Sequence, residues 1–192
     1  MKTRSLLIIV VFAFTTHVFA AEIPKMNVIV LDKTRALVAV TKSDPGKTII
    51  SFESEDGNIV YYKETSKQAD FKTVLDLREI KNGTYQVTAK TGNRIMKRNI
   101  ICKDGEISVE SMKTEYDPVF VFNQNKLRVS YLNFDQTDFR FLVYKNGDLV
   151  YDYNMGNDVV MQKKFDLSRL NRGDYEIALA SEGKEYSYWV NK

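Results

Sequence analysis

The chain contains one histidine, His17, and one cysteine, Cys102, and this scarcity limits the chemistry within its reach. His17 lies in the apolar N-terminal leader described below. Beyond that leader no Ser-His-Asp or Cys-His pair can form, and histidine-ligated zinc or copper sites are excluded. Cys102 follows Ile100-Ile101 at the end of an apolar run. That position predicts a buried, inert thiol, because a reactive one needs exposure and a nearby cation. Paired carboxylates remain, and two of them suitably spaced can hydrolyse a glycoside. The candidates are Glu53, Glu55 and Asp56 in one half, and Asp152 and Asp158 in the other. Most fall in turns or at solvent-facing strand positions, and none sits in a hydrolase motif. The segment from Asp152 to Asp158 is rich in Asp and Asn, but calcium needs about 6–8 oxygens at fixed loop positions and this spacing matches no standard loop. Asn82-Gly83-Thr84 has the form of a glycosylation acceptor, but its role in a turn accounts for it. The expectation is a non-enzymatic chain with no catalytic residue, no metal and no cofactor.

The elements that would carry any site follow from an internal repeat. Gly57 and Gly147 are 90 residues apart, as are Gly83 and Gly173, Tyr85 and Tyr175, Asp76-Leu77 and Asp166-Leu167, Val60-Tyr61 and Val150-Tyr151, and Leu37 and Leu127. A constant offset reads as one domain written twice. Within each copy the apolar period is two rather than 3.6, in short runs rich in Val, Ile, Tyr, Phe and Thr. Seven strands are expected in residues 27–102 and seven more in residues 119–190. Asp56-Gly57 and Asn146-Gly147 are the strongest hairpin signals, since both residues of a type I′ turn need positive φ. No long amphipathic helical stretch is present. The expected boundaries are 1–20 for a leader, 27–112 for copy one and 117–192 for copy two, with the short polar stretch Ser111–Tyr116 as the linker.

The most specific piece of each copy joins its fifth and sixth strands. Copy one has Leu75-Asp76-Leu77-Arg78-Glu79-Ile80-Lys81-Asn82-Gly83-Thr84-Tyr85, and copy two has Phe165-Asp166-Leu167-Ser168-Arg169-Leu170-Asn171-Arg172-Gly173-Asp174-Tyr175. The apolar residues would plug the bottom of a sandwich. The tyrosine would enter the next strand with its hydroxyl free to reach backbone, as in a tyrosine corner. This Leu-Asp-Leu-x-x-Leu-x-x-Gly-x-Tyr pattern resembles the small exported immunoglobulin-like domains of unknown function common in Bacteroidetes. It also resembles the C-terminal sorting domain of type IX secretion cargo. Ile80 and Phe165 depart from the pattern. The resemblance implies an all-β chain of two tandem immunoglobulin/fibronectin-III-like β-sandwiches, and it implies no activity.

Residues 1–20 read as a cleaved signal peptide. Lys2 and Arg4 precede an apolar run, Leu6 to Phe14, that falls short of the roughly 20 residues of a helical membrane span. Val18 and Ala20 occupy the −3 and −1 positions of a cleavage site. The expected location is the periplasm, the cell surface or the extracellular space. Lys2 and Arg4 also account for two of the 28 basic residues, leaving 26 against 25 acidic ones. The balance gives no reason to expect nucleic acid as a partner, and phosphate binding would need a clustered basic face.

The two copies differ most in their third and sixth strands. The constant offset sets Ile50 and Phe52 against Arg140 and Leu142, so that Phe139, Phe141 and Val143 lie opposite the polar-facing Ile49, Ser51 and Glu53. Ala178 and Ala180 replace Thr88 and Lys90 beside them, and the last strand adds Tyr188. Residues 117–192 hold 14 aromatic side chains against five in residues 27–112. The resulting expectation is an apolar outer face on copy two, made of Phe139, Phe141, Val143, Ala178, Ala180 and Tyr188. It would bind a protein or glycan, or form a homodimer, because contiguous exposed apolar surface marks contact. The alternatives are that copy two is a secretion-sorting tail or, third, that the chain is an unrecognised hydrolase.

Overall fold

The computed structural model describes residues 25–41, 46–65 and 70–192. The leader and its cleavage site lie outside the described residues. The described residues form sixteen β-strands and no helix. The first sandwich comprises β1 (Lys25–Asp32), β2 (Arg35–Thr41), β3 (Thr48–Ser54), β4 (Ile59–Thr65), β5 (Asp70–Asp76), β6 (Gly83–Thr91) and β7 (Arg94–Lys103), followed by β8 (Glu106–Val109) and β9 (Lys113–Tyr116). The second comprises β10 (Val119–Asn123), β11 (Lys126–Leu132), β12 (Phe139–Lys145), β13 (Asp148–Gly156), β14 (Val160–Asp166), β15 (Asp174–Ser181) and β16 (Lys184–Asn191).

Each half packs a three-stranded sheet against a larger one. The orders are β1-β2-β5 and β4-β3-β6-β7-β8 in the first, and β10-β11-β14 and β13-β12-β15-β16 in the second. All pairings are antiparallel, and the strand order places both halves among immunoglobulin/fibronectin-III-like sandwiches. Alternation along the strands builds two separate cores. Ala36, Val38 and Val40 of β2 face Phe52, Val87 and Ile100 in the first, and Leu127 and Val129 of β11 face Phe141, Ile177 and Leu179 in the second. The aromatic excess of the second half goes mainly inward, with Phe120, Phe122, Tyr131, Phe165, Tyr186 and Tyr188 in or against its core.

The link between the fifth and sixth strands is built the same way twice. The Asp76 carboxylate accepts the backbone N–H of Arg78 at 3.1 Å, and that of Asp166 accepts the N–H of Ser168 at 2.9 Å. Leu77 and Leu167 are buried, and their N–H groups donate to the carbonyls of Thr34 and Asn125. The Tyr85 hydroxyl donates to the Lys81 carbonyl at 3.1 Å, and the Tyr175 hydroxyl to the Asn171 carbonyl at 2.9 Å. Each is a tyrosine corner that ties the strand to the turn four residues upstream.

Two sequence expectations are corrected. The offset between the halves is not constant. Across the sheet Phe52 pairs with Val87, and Val143 pairs with Ile177. Val87 and Ile177 are 90 apart, but Phe52 and Val143 are 91 apart. The extra residue sits in the hairpin. Asn146 and Gly147 both have positive φ, 52° and 87°, and close a two-residue turn between Lys145 and Asp148. In copy one only Gly57 turns positive, at 80°, and its N–H donates to the Ser54 carbonyl while Ser54 N–H donates to Asn58. That is a three-residue loop closed by a glycine bulge, one residue longer than the type I′ turn expected there.

The second correction concerns the linker. Lys113–Tyr116 is not a free tether, because β9 pairs with Arg94–Lys97 of β7 while β8 pairs with Ile100–Lys103. Residues 106–116 thus run along the whole of β7 as an added edge strand. The chain leaves them directly into the second sandwich. There Asp117 forms an ion pair with Lys90, and its N–H donates to the Asn93 carbonyl at 2.7 Å. Arg94 lies over the Tyr116 ring, and Tyr116 meets Phe134 with ring centroids 6.2 Å apart.

Candidate functional site on the outer face of the second sandwich

The one-residue difference in the hairpin inverts the face on which β12 was expected to present its aromatic residues. Phe139, Phe141 and Val143 are each 0% exposed. They occupy the inner positions that Thr48, Ile50 and Phe52 hold in the first half. Phe141 stacks on Phe165 at 3.7 Å, and Phe139 meets Tyr131 edge-on at 5.0 Å. Tyr188 is also turned inward. It pairs with Ile177, and its ring stacks on Phe120 at 5.2 Å. Of the six expected site residues, Ala178 and Ala180 do face outward, opposite Leu142 and Arg140.

The outer face is therefore built from the alternate residues. Three rows cross the sheet. Tyr144, Glu176 and Trp189 form the first, Leu142, Ala178 and Ser187 the second, and Arg140, Ala180 and Glu185 the third. On the β13 side Asp152 and Asn154 extend the second and third rows. Trp189, the only tryptophan, is 68% exposed, more than any other large apolar side chain described. Strands lie about 4.8 Å apart, so Tyr144 and Trp189 are separated by roughly 10 Å with Glu176 between them. The small side chains of Ala178 and Ala180 leave the middle of the face flat.

The polar groups around this floor are held in place. Arg140 forms an ion pair with Asp152, its Nε donating to Oδ1 at 3.0 Å, and the Ser187 hydroxyl donates to Glu176 at 2.8 Å. A depression of about 530 Å³ opens at the end of the third row, lined by Asp138, Arg140, Leu142, Asn154, Ala180 and Glu182 among others. An aromatic side chain flanked by oriented carboxylate, amide and guanidinium groups can stack on an apolar ring face and hydrogen-bond to its rim.

The first sandwich shows what this face looks like when it is closed. Glu53, Gln86 and Asn99 occupy the row of Tyr144, Glu176 and Trp189. There the Gln86 amide donates to Asn99 at 3.1 Å, and the Asn99 amide donates to Glu110 at 2.9 Å. That row satisfies its own hydrogen bonds and is capped by the segment between β8 and β9. Trp189 was missed in the sequence reading in favour of Tyr188. The signal was available, because Ile100 and Val190 are both buried and share the 90-residue offset, which turns Trp189 outward with Asn99.

The remaining candidates fall apart in space or in kind. Cys102 is buried in β7, and burial pushes its thiol above the usual range. Glu53 and Glu55 line a second depression with Gln86 and Asn99, far along the chain from Asp152 and Asp158. Asp152 to Gly156 is strand rather than loop, with Asp152 engaged by Arg140 and the Asn154 side-chain oxygen accepting the Gly156 N–H at 2.8 Å. Among the described residues no group of three or more His, Cys, Asp or Glu side chains is placed to hold a metal ion.

No protein-family model matches the chain, and no curated protein matches its sequence. Among solved structures it is similar to a two-domain fibronectin type-III segment of chicken tenascin, at 12% identity and a TM-score of 0.30, over 88% of this chain and 99% of that one. It is similar also to the central fibronectin-III array of RIM-binding protein, at 10% identity and a TM-score of 0.28, over 90% of this chain and 65% of that one. The human OSCAR ligand-binding domain follows at 8% identity and a TM-score of 0.27, over 88% and 97% of the two chains.

Proposed function

We propose that this chain is an exported, non-catalytic binding module, divided at about residues 112 and 117, whose second sandwich holds an extended glycan on its outer sheet face. The single observation that carries this reading is the exposed Trp189 in a row with Tyr144 and Glu176, where the first sandwich has a self-paired amide row. The face suits a polyhydroxylated ligand better than a protein hot spot. Its apolar groups are separated by Glu176, Arg140 and Asp152 instead of merging into one dry patch ringed by polar residues. The leader, the periplasmic or surface location and the kinship with exported Bacteroidetes-type domains belong to the same proposal. The presence of the Leu-Asp-Leu link in both halves supports a structural role for it over a sorting tail.

The test uses Trp189 as its own reporter. Titration with cello-, xylo-, manno- and laminari-oligosaccharides should give a saturable blue shift of its emission for at least one series, and Trp189→Ala should abolish binding measured by calorimetry while leaving the melting temperature near wild type. Emission unchanged by every series, with no heat of binding, would remove the glycan reading.

A further inference from the structure

The three-stranded sheet of the second sandwich carries a second surface. Its strands turn Val119, Val121 and Asn123 outward from β10, Lys126, Arg128 and Ser130 from β11, and Gln162, Lys164 and Asp166 from β14. Arg128 and Lys164 are direct cross-strand partners. Like charges directly opposite one another on a sheet are destabilising, and an isolated fold has no use for them. Lys126 stands beside them, and all three are exposed. Among the described residues none of the three makes an ion pair or a hydrogen bond. Asp166 is the one acid that these strands turn outward, and its carboxylate is occupied by the Ser168 N–H at 2.9 Å.

These cations surround a depression of about 250 Å³ whose lining is Val121, Asn123, Gln124, Lys126, Arg128 and Lys164. It contains three cationic groups, two side-chain amides and no carboxylate. The same row in the first sandwich is Ile29, Leu37 and Val74, also direct cross-strand partners, so a charge-free row is compatible with this fold. The cationic row is thus a departure from the repeat that stability does not account for.

The geometry points to an anion site here, in which Arg128, Lys126 and Lys164, with the amides of Asn123 and Gln124, take one sulfate or phosphate group. The guanidinium supplies paired N–H donors along one edge of the oxyanion, and the two ammonium groups supply charge from the sides. A bound anion also relieves the repulsion between Arg128 and Lys164. The site is independent of the Trp189 face, which lies on the other sheet.

The test is titration of the full chain with sodium sulfate and sodium phosphate at fixed ionic strength, followed by backbone amide shifts and by melting temperature. Saturable shifts confined to residues 123–128 and 164 are expected. The melting temperature should rise more than in the double variant Arg128→Leu/Lys164→Val, which carries the residue types of Leu37 and Val74 and retains only the general effect of these salts. Should that variant aggregate, Lys164→Glu replaces the repulsion with an ion pair and should lose the anion response while melting at or above wild type in chloride. If sulfate and phosphate bind, competition between glycerol phosphate and phosphatidylglycerol vesicles separates a soluble ester from a lipid headgroup. Equal salt responses in wild type and variants, shifts scattered over other lysines, or binding to vesicles without any response to the free anions would overturn the assignment.

Discussion

Val143 stands in the second sandwich where Phe52 stands in the first, facing Ile177 as Phe52 faces Val87. The larger residue sits in the smaller core at this point, and the difference is made up one turn of alternation away. Phe141 takes the place of Ile50 and Phe139 that of Thr48, all of them buried. The two cores are therefore filled in different patterns around the same strand order.

The double variant Phe139→Ile/Phe141→Ser should be severely destabilised. Truncating a buried phenylalanine costs about 3–5 kcal/mol, and serine at 141 also buries a hydroxyl beneath Phe165. Thermal unfolding of the full chain measures this. A melting temperature near wild type would mean that these side chains are not core.

Gly147→Ala should cost about 1–2 kcal/mol, because φ is 87° there and an added Cβ meets nothing within 4 Å, so the penalty is purely that of the backbone. Chemical denaturation would report it as a shift in midpoint at constant slope. A neutral result would show that the hairpin relaxes into another turn.

Tyr85→Phe and Tyr175→Phe should each lose about 0.5–1.5 kcal/mol through the missing bond to the carbonyls of Lys81 and Asn171. Because the two corners lie in separate cores, the losses should add. Denaturation of the single and double variants checks both statements.

Acid should weaken the fold in a defined window. The Arg35 side chain bonded to Asp32 and the Arg78 side chain bonded to Asp76, each helped by backbone N–H groups, hold both carboxyls down at about 2. Depressed values stabilise the fold above the unfolded value near 3.8, and that contribution disappears as pH falls through 2. Melting temperatures of wild type and Asp32→Asn/Asp76→Asn should differ at pH 5, converge between pH 4 and 2, and coincide below. A constant difference across that range would contradict the pairing.

Much of this architecture could be read from the residues. Asn146-Gly147 and the alternation of Leu127, Val129 and Tyr131 marked strands and turn, and the Leu-Asp-Leu links carried the tyrosine corners in both halves. The face of β12 could not be read from the 90-residue offset, because a type I′ turn and a glycine-bulge loop differ by one residue while both carry glycine at the matched position. With a side-chain period of two, that single residue exchanges inside for outside. The strands β8 and β9 escaped notice although Asp104-Gly105 marks a hairpin into Glu106-Ile107-Ser108-Val109, whose alternation is short. The candidate site was approached through Ala178 and Ala180 but assigned the wrong aromatic partners. The cationic row was hidden because Arg128 and Lys164 are 36 positions apart and meet only through strand pairing.

The measurement that bears most directly on the proposed function is the emission of Trp189 in the full chain during oligosaccharide titration, with Trp189→Ala and Tyr144→Ala followed by calorimetry. The free protein should emit at long wavelength and be readily quenched by acrylamide, since the indole is 68% exposed. A binding series should shift the emission to the blue and protect it from quenching, and both variants should lose affinity without losing stability. Long-wavelength emission that no oligosaccharide alters, or binding that survives Trp189→Ala unchanged, would contradict a glycan-binding face on the second sandwich.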